Sequence, residues 1–551
     1  MSSTTISPPS STEGDGGGPK STGIAKGAIL MGVAVLLSRV LGQVRDSIIA
    51  AEFGRNWQTD AYQAAFTIPD LLFFLLQSGA LSSSLVPILA EFRQQGKDKS
   101  ADKTLSVVAT MIVLVIGTLI VFMEFGAEWL TLKLNPGFEP RAVALAAHLT
   151  RILLPAQICF FLGGLLMAVL YSRKQFLIPS LGPVVYNAGI IFGGVVLSHI
   201  GFGISGLVWG AVGGAIIGNL LMPLLAVRKV GVKFKPSLEV RHPGAMKFWR
   251  MIAAMGLGVA LPQVDQIVNK YFSSLGAAGD TTAMMNAYRL MLLPIGVLAQ
   301  STAIALLPVL SEQASARDFK GMRGTVNSSL RNILFMTVPA TGLMFLLAEP
   351  VIGLLFQWKH FTAADTALTA IPLRYLSLGI FVWSCQSLLT RGFYALQEPS
   401  VPLRVGSAST VLFVLMDWLA VKAGLGNKGI ALATTLAVVV NTIVLLLMLT
   451  KRIQGIEMAR LMNSLVRIVL ATAGLCAMTW ACRDAIGWLA ENAIAMTPKV
   501  EVVLQIGVAG LMGLYTYYNL ARLLRIPELT DATASIAPKL KPVLRLLGKV
   551  K

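Results

Sequence analysis

The chain has 551 residues, of which 55% are hydrophobic and only 13% charged, where ordinary globular chains carry about a quarter charged residues. The apolar excess has to face lipid: at about 20 residues per membrane helix, 55% of 551 residues suffices for about fourteen helices and leaves no room for a large soluble domain. The 46 Lys and Arg against 27 Asp and Glu leave a net charge of +19, and where those cations fall decides how the chain is read.

Residues 1–23, rich in Ser, Thr, Gly and Pro and without an apolar core, read as a disordered tail and not a cleaved signal. Hydrophobic spans follow at about 26–51, 61–92, 104–125, 143–171, 177–198, 203–227, 246–273, 281–312, 330–348, 364–396, 401–421, 428–450, 463–482 and 502–524. The chain therefore reads as an all-α integral membrane protein of about fourteen transmembrane helices. The loops after spans 2, 4, 6, 8 and 12 hold the basic clusters, among them Arg93, Lys97, Arg173, Lys174, Arg228, Lys233, Arg317, Lys320, Lys451 and Arg452. The opposite loops carry Glu52, Glu139, Asp280, Glu349 and Asp365 with few cations. By the positive-inside rule both termini are cytoplasmic, and the basic tail 526–551 agrees. Clusters dispersed between membrane spans do not make a nucleic-acid surface.

Span 2 ends in Leu85-Val86-Pro87-Ile88-Leu89-Ala90-Glu91 and span 8 in Leu306-Leu307-Pro308-Val309-Leu310-Ser311-Glu312, 221 residues later. Ile68-Pro69 and Leu293-Pro294, Gln43-Val44 and Gln263-Val264, and Tyr171 and Tyr394 repeat at offsets of 220–225. This implies two parallel six-helix lobes, 24–228 and 245–450, followed by an extra pair of spans at 460–525. Parallel repeats place a cavity between lobes that rock against each other. Pro69, Pro87, Pro294 and Pro308 are expected to remove backbone bonds inside spans 2 and 8, and Gly42 to weaken span 1.

Ionisable residues inside apolar spans cost about 2.5–3.5 kcal/mol each on insertion scales, so they mark function or compensation. Span 1 holds Ser38, Arg39, Arg45 and Asp46, Asp60 opens span 2, Arg289 precedes Pro294, and span 10 carries Arg374 and Arg391. Arginines facing a shared interior suit a phosphorylated ligand, because the guanidinium fork binds phosphate oxygens bidentately and stays charged. The alternative is that they snorkel to the interfaces or pair with Asp46 and Asp60. Asp265, Asp417 and Thr434 form a second polar set, suited to Na⁺ or H⁺, unless Asp265 merely pairs with Lys270. No GxxxxGK[ST] motif supports direct ATP drive, and the four cysteines and four histidines lack metal-ligand spacing. No cofactor is expected beyond a coupling ion, Na⁺ or H⁺, or the membrane potential.

The segment Leu37–Glu91 resembles the MurJ (MviN) family of lipid II flippases, in the multidrug/oligosaccharidyl-lipid/polysaccharide exporter superfamily. The match rests on Ser38-Arg39-Val40-Leu41-Gly42, Val44-Arg45-Asp46, Phe53-Gly54, Thr59-Asp60-Ala61 and Val86-Pro87-Ile88-Leu89-Ala90-Glu91, continued by Tyr288-Arg289-Leu290-Met291 and Arg391-Gly392-Phe393-Tyr394-Ala395-Leu396. The resemblance implies a MATE-like fold and a cargo of lipid II, an undecaprenyl diphosphate bearing a disaccharide-peptide, carried to the outer leaflet of the bacterial inner membrane by alternating access. It implies substrate-binding roles for Arg39, Arg45 and Arg289, with Ser38, Asp46 and Asp60 in matching motif positions. Where many members carry an Arg-Arg pair in span 2 this chain has Phe73-Phe74, and Ser78 replaces an acidic residue, so Arg374 is a candidate for the missing cation. Spans 13 and 14 are suited to the polyprenyl tail, with Tyr515, Tyr517 and Tyr518 as lining or as an interfacial belt. The expected partners are lipid II, membrane lipids and peptidoglycan-synthesis proteins, with the chain itself a monomer. A transporter is favoured over an enzyme. The competing functions are flipping of another lipid-linked oligosaccharide, cation-coupled export of a small molecule, a polyprenyl-phosphate enzyme, and an envelope scaffold.

Overall fold

A computed structural model describes residues 20–76, 80–173, 175–232, 234–260, 264–493 and 496–530. Most of the tail 1–23, the tail beyond 530, Lys174, Lys233, Gln263 and Ser78 lie outside the described residues, as does the side chain of Phe74. Among the described residues every regular element is helical.

The first half opens with α1 (Lys20–Phe53), which runs unbroken through Gly42. Then come α2 (Trp57–Ala65), α3 (Thr67–Leu76) and α4 (Ala80–Gln94), three pieces where the sequence suggests one span. Asn56 starts α2 as a reciprocal cap: its side chain accepts from the N–H groups of Gln58 and Thr59, and the Thr59 hydroxyl accepts from the Asn56 N–H. Pro69 lies in the first turn of α3, where backbone N–H groups have no helical acceptor to lose. The expected loss of a bond there is therefore not seen, and the break falls before it, at Phe66. The half continues through α5 (Asp98–Leu134), α6 (Pro140–Leu153), α7 (Ala156–Ser172), α8 (Leu177–Val195), α9 (Ser205–Gly214) and α10 (Met222–Lys229), with a π-helical turn at Ala215–Leu221 between the last two. α8 and α9 pack with almost no space between their backbones. Gly189 and Gly193 of α8 lie against Gly206, Gly210 and Gly214 of α9, and a Cβ on Gly210 would overlap the Gly189 carbonyl. Small residues at four-residue spacing permit this approach inside a membrane, where close van der Waals packing must hold helices together.

The second half comprises α11 (Pro243–Ala260), α12 (Val264–Ser273), α13 (Asp280–Pro294), α14 (Ser301–Ser315), α15 (Phe319–Leu346), α16 (Ala348–Phe356), α17 (Ala363–Ser377), α18 (Ile380–Ala395), α19 (Ser400–Lys422) and α20 (Gly426–Arg452). α21 (Met458–Asn492), α22 (Pro498–Leu504) and α23 (Gly510–Leu523) close the chain. Pro294 ends α13 and a π-helical turn, Ile295–Gln300, follows it. Local π geometry of this kind accommodates a bond removed by proline. Among the described residues, ten helical runs are long and apolar enough to cross a membrane, and α17 with α18, bent by 44°, would make an eleventh. The other three expected spans fall on α1, on α2–α4 and on α11–α12.

The apolar core is divided. One cluster joins Leu72, Leu85, Ile112 and Phe161 of the first half. Another joins Leu330, Leu389 and Leu449 to Leu475 and Tyr517 of the terminal helices. Tyr517 is buried and its hydroxyl donates to the Phe335 carbonyl at 2.8 Å, while Tyr515 and Tyr518 are exposed. α11 crosses the divide: Ala245, Phe248 and Ile252 belong to the first half's cluster. Before it, the connecting segment is fixed to α5 by Lys235 N–H donating to Ser106 Oγ and Ser237 N–H to Thr110 Oγ1, both at 3.1 Å. His242 packs beside Thr104, and burial together with the Lys103 cation holds its imidazole below the ordinary range.

Candidate functional site

Asp46 of α1 is 7% exposed and its Oδ1 is shared by two guanidiniums. Arg45 of the same helix approaches it at 2.8–2.9 Å, and Arg289 reaches it from α13 at 3.2 Å. The remaining donors are also placed. Arg45 Nη1 donates to Asn187 Oδ1 of α8 at 3.0 Å, and Asn187 Nδ2 donates to the Ser38 carbonyl at 3.2 Å and hydroxyl at 3.4 Å. Arg289 Nη2 donates to Gln63 Oε1 of α2 at 2.8 Å. Asp70 of α3 and Lys270 of α12 stand close enough to share in the same charge cluster, so three cations against two anions leave the site electropositive. Charge-assisted bonds of this type are about twice as strong as neutral ones, which compensates for placing charge in apolar helices.

Arg39 lies seven residues before Asp46, and its guanidinium sits against Gly296, seven residues after Arg289. A Cβ on Gly296 would fall 2.6 Å from Arg39 Nη1. The paired positions step in opposite directions along α1 and α13, so the two helices run antiparallel across one seam. Arg39 is exposed and forms no ion pair among the described residues. The structure thus brings Arg39, Arg45, Asp46 and Arg289 to one seam between the halves, with Ser38 behind Asn187.

Beyond Asp46 the seam is shut. The space among Asp46, Ala50, Gly54, Gln63, Thr282, Asn286 and Arg289 is about 10 Å³, at the lower limit for a single water. Asp60 lies on this closed side. Its carboxylate accepts from Gly279 N–H at 2.5 Å, and from Thr282 N–H and Oγ1, each at 2.7 Å. It therefore anchors the start of α13, where free N–H groups favour an anion. Arg55, not singled out from sequence, donates to Asp280 and Asp365, each at 3.2 Å. Glu52 pairs with Lys359 at 2.5 Å. On the other side, α1 is exposed around most of its circumference, at Val33, Val35, Leu36, Leu37 and Val40.

Arg374 is engaged elsewhere. It donates to Glu349 of α16 at 2.9 Å, and Arg483 of α21 stands 3.8 Å from the same carboxylate. Asp265, Asp417 and Thr434 lie on three helices that pack together, α12 against both α19 and α20. Asp417 is fully buried with both carboxylate oxygens unpartnered. The Thr434 hydroxyl lies 3.0 Å from Asn269 Oδ1, and Asn269 Nδ2 has no partner. Lys270 does not hold Asp265 but donates to Thr67 Oγ1 at 3.1 Å. Gln63 and Asn187 were not foreseen either. An amide in an apolar helix carries a weaker sequence signal than a charge.

The family profile for "Lipid II flippase MurJ" matches residues 49–492. The lipid II flippase MurJ of Burkholderia cenocepacia is 29% identical over 505 residues, covering 88% of this chain and 96% of that protein. A probable lipid II flippase MurJ of Bdellovibrio bacteriovorus is 27% identical over 525 residues, 94% of this chain and 97% of its own length. Among solved structures, a lipid II flippase MurJ in an inward closed conformation is similar with a TM-score of 0.71 at 23% identity, covering 90% of this chain and 99% of that one. An inward-facing multidrug transporter of the MATE family gives 0.65 at 17% identity, over 77% and 98%. The solved structures share the fold, and a profile running from the closed end of α1 into α21 identifies the lineage: the chain is a multi-pass membrane protein of the lipid II flippase MurJ family.

Proposed function

We propose that the protein flips lipid II from the cytoplasmic to the outer leaflet of the bacterial inner membrane by alternating access, with both termini cytoplasmic. The supporting observation is the shared carboxylate, Asp46 Oδ1 held by Arg45 at 2.8 Å and by Arg289 of the other half at 3.2 Å. A diphosphate entering beside the exposed Arg39 presents oxygens that compete with Asp46 for the same guanidinium forks. As Arg289 exchanges Asp46 for phosphate, the tie between the halves weakens and the shut end of the seam is free to part. The sugar-peptide head then crosses between the halves while the polyprenyl tail stays in lipid, so charge never enters hydrocarbon. Expression in cells depleted of their own lipid II flippase should restore growth. Failure to do so, with the protein present in the membrane, would contradict the assignment.

A second reading concerns the driving force. The buried, unpartnered carboxylate of Asp417, with Asp265 and Thr434 on adjoining helices, offers hard oxygen ligands for Na⁺ or a carboxylate that carries H⁺. We assign the coupling ion to this cluster. An Asp265→Asn, Asp417→Asn double variant should lose the dependence of transport on a Na⁺ or pH gradient, and unchanged dependence would remove the cluster from the mechanism.

A further inference from the structure

Transport through the seam leaves one cavity unused. Within the first half, α3, α7, α8 and the π-helical turn after α9 enclose about 460 Å³, inside the roughly 300–1,000 Å³ of small-molecule pockets. One wall is aromatic: Phe73, Phe160 and Tyr186 stand edge to face with centroid distances of 5.7 and 5.3 Å. Tyr186 adjoins Asn187, the residue that holds Arg45, so the cavity borders the seam. Two amides and a carboxylate also line it, Gln157 at 5% and Asn219 at 7% exposure, and Asp70, which already faces the charges of Lys270, Arg289 and Arg45. Gln157 Oε1 and Asn219 Nδ2 have no hydrogen-bond partner.

Buried polar groups are rarely left unpaired, and an exception calls for a ligand, a water or a functional reason. Here one amide lacks a donor and the other lacks an acceptor. A cation would leave Asn219 Nδ2 without an acceptor and would add to the three cations already facing Asp70, and an anion would leave Gln157 Oε1 without a donor and would meet the Asp70 carboxylate. A secondary amide supplies an N–H and a C=O on one planar group, with apolar surface for the aromatic wall. Asn219 moreover sits in π-helical geometry, which is frequent at functional sites.

We infer that the cavity binds a secondary amide of the cargo's head, either the N-acetyl group of an amino sugar or a peptide bond. The inference rests on the lipid-linked glycopeptide reading of the seam. Saturation-transfer NMR on the purified full-length protein tests it with three soluble probes: N-acetylglucosamine, glucosamine, and alanine blocked as its N-acetyl N-methylamide. The acetyl methyl of N-acetylglucosamine or of the blocked alanine should be saturated and glucosamine should not, and whichever amide probe binds names the source. In a Gln157→Met, Asn219→Leu variant the dissociation constant should rise at least about tenfold, the effect of losing two neutral hydrogen bonds, while Arg374→Ala, whose guanidinium is paired with Glu349, leaves it unchanged. Equal binding of glucosamine and N-acetylglucosamine, no binding of either amide, or full binding by the double variant would overturn the proposal. If that variant does not fold, the comparison of probes on the unaltered protein decides. None of these outcomes depends on transport, so a failed pocket leaves the flippase reading standing.

Discussion

Asp46 accepts from arginines of both halves, so its neighbours are not interchangeable. Replacing Arg45 or Arg289 with Ala removes a charge-assisted pair worth about 1.5–3 kcal/mol, and lipid II transport should fall by about ten- to a hundredfold at 1.4 kcal/mol per factor of ten. Lysine should restore only part of it, since a point charge does not replace a fork. Arg374→Ala should leave transport intact, because its guanidinium is occupied by Glu349; the pair is about one-third exposed, so unfolding should shift by less than about 1 kcal/mol. A transport assay on the five variants in proteoliposomes, with their melting curves, separates these outcomes. At this scale the sequence was legible wherever a charge sat in an apolar run. Arg39, Arg45 and Arg289 were visible for that reason, and Asp46 for its place on the same helix. Gln63 and Asn187 were not, because an amide is cheap to place in a helix and its partner lies far off in the chain, 142 residues away for Arg45 and Asn187. Asp60 was seen, but not that it serves the first turn of α13, because a motif position does not show which helix end comes to meet it.

At the scale of elements, the apolar runs located the helices, whereas local capping decided where they break. The break at Phe66 divides what hydropathy reads as one span, 61–92, while the Asn56 cap falls in the gap before it. The α8–α9 contact tests how the pieces are held. Gly210→Leu forces a side chain into the Gly189 backbone, and the overpacking should cost about 1–3 kcal/mol, read as a lower melting temperature of the purified protein. An unchanged melting temperature would mean the two helices do not meet as described. Asp60→Ala should act on an element too. It removes the acceptor for two N–H groups and a hydroxyl of the α13 start, so the shut end of the seam should loosen. With the four native cysteines replaced, an Asn286→Cys probe should react faster with an impermeant maleimide when Asp60 is Ala. Equal rates would show that Asp60 does not hold the seam.

For the whole molecule, matched sequence offsets pointed to two halves, but the apolar clusters do not divide cleanly along them: Ala245, Phe248 and Ile252 of α11 pack with the first half's cluster, and Ala50 of α1 packs with residues of the second half. The offsets did not reveal that α11 packs into the first half's cluster. Its apolar pattern specifies burial and not the surface against which it is buried, so the strap between the halves became visible only in three dimensions. The end sealed by Arg55, Asp60 and Glu52 describes a seam shut toward one face. Flipping requires that this seam carry the head group. The most direct measurement is lipid II exposed on the outer leaflet of cells depleted of their own flippase, compared between the unaltered chain and an Arg45→Ala, Arg289→Ala double variant at equal membrane abundance. Restored exposure with the unaltered chain and none with the variant is the expected result; equal exposure with both, or none with either, would contradict transport through the Asp46 seam.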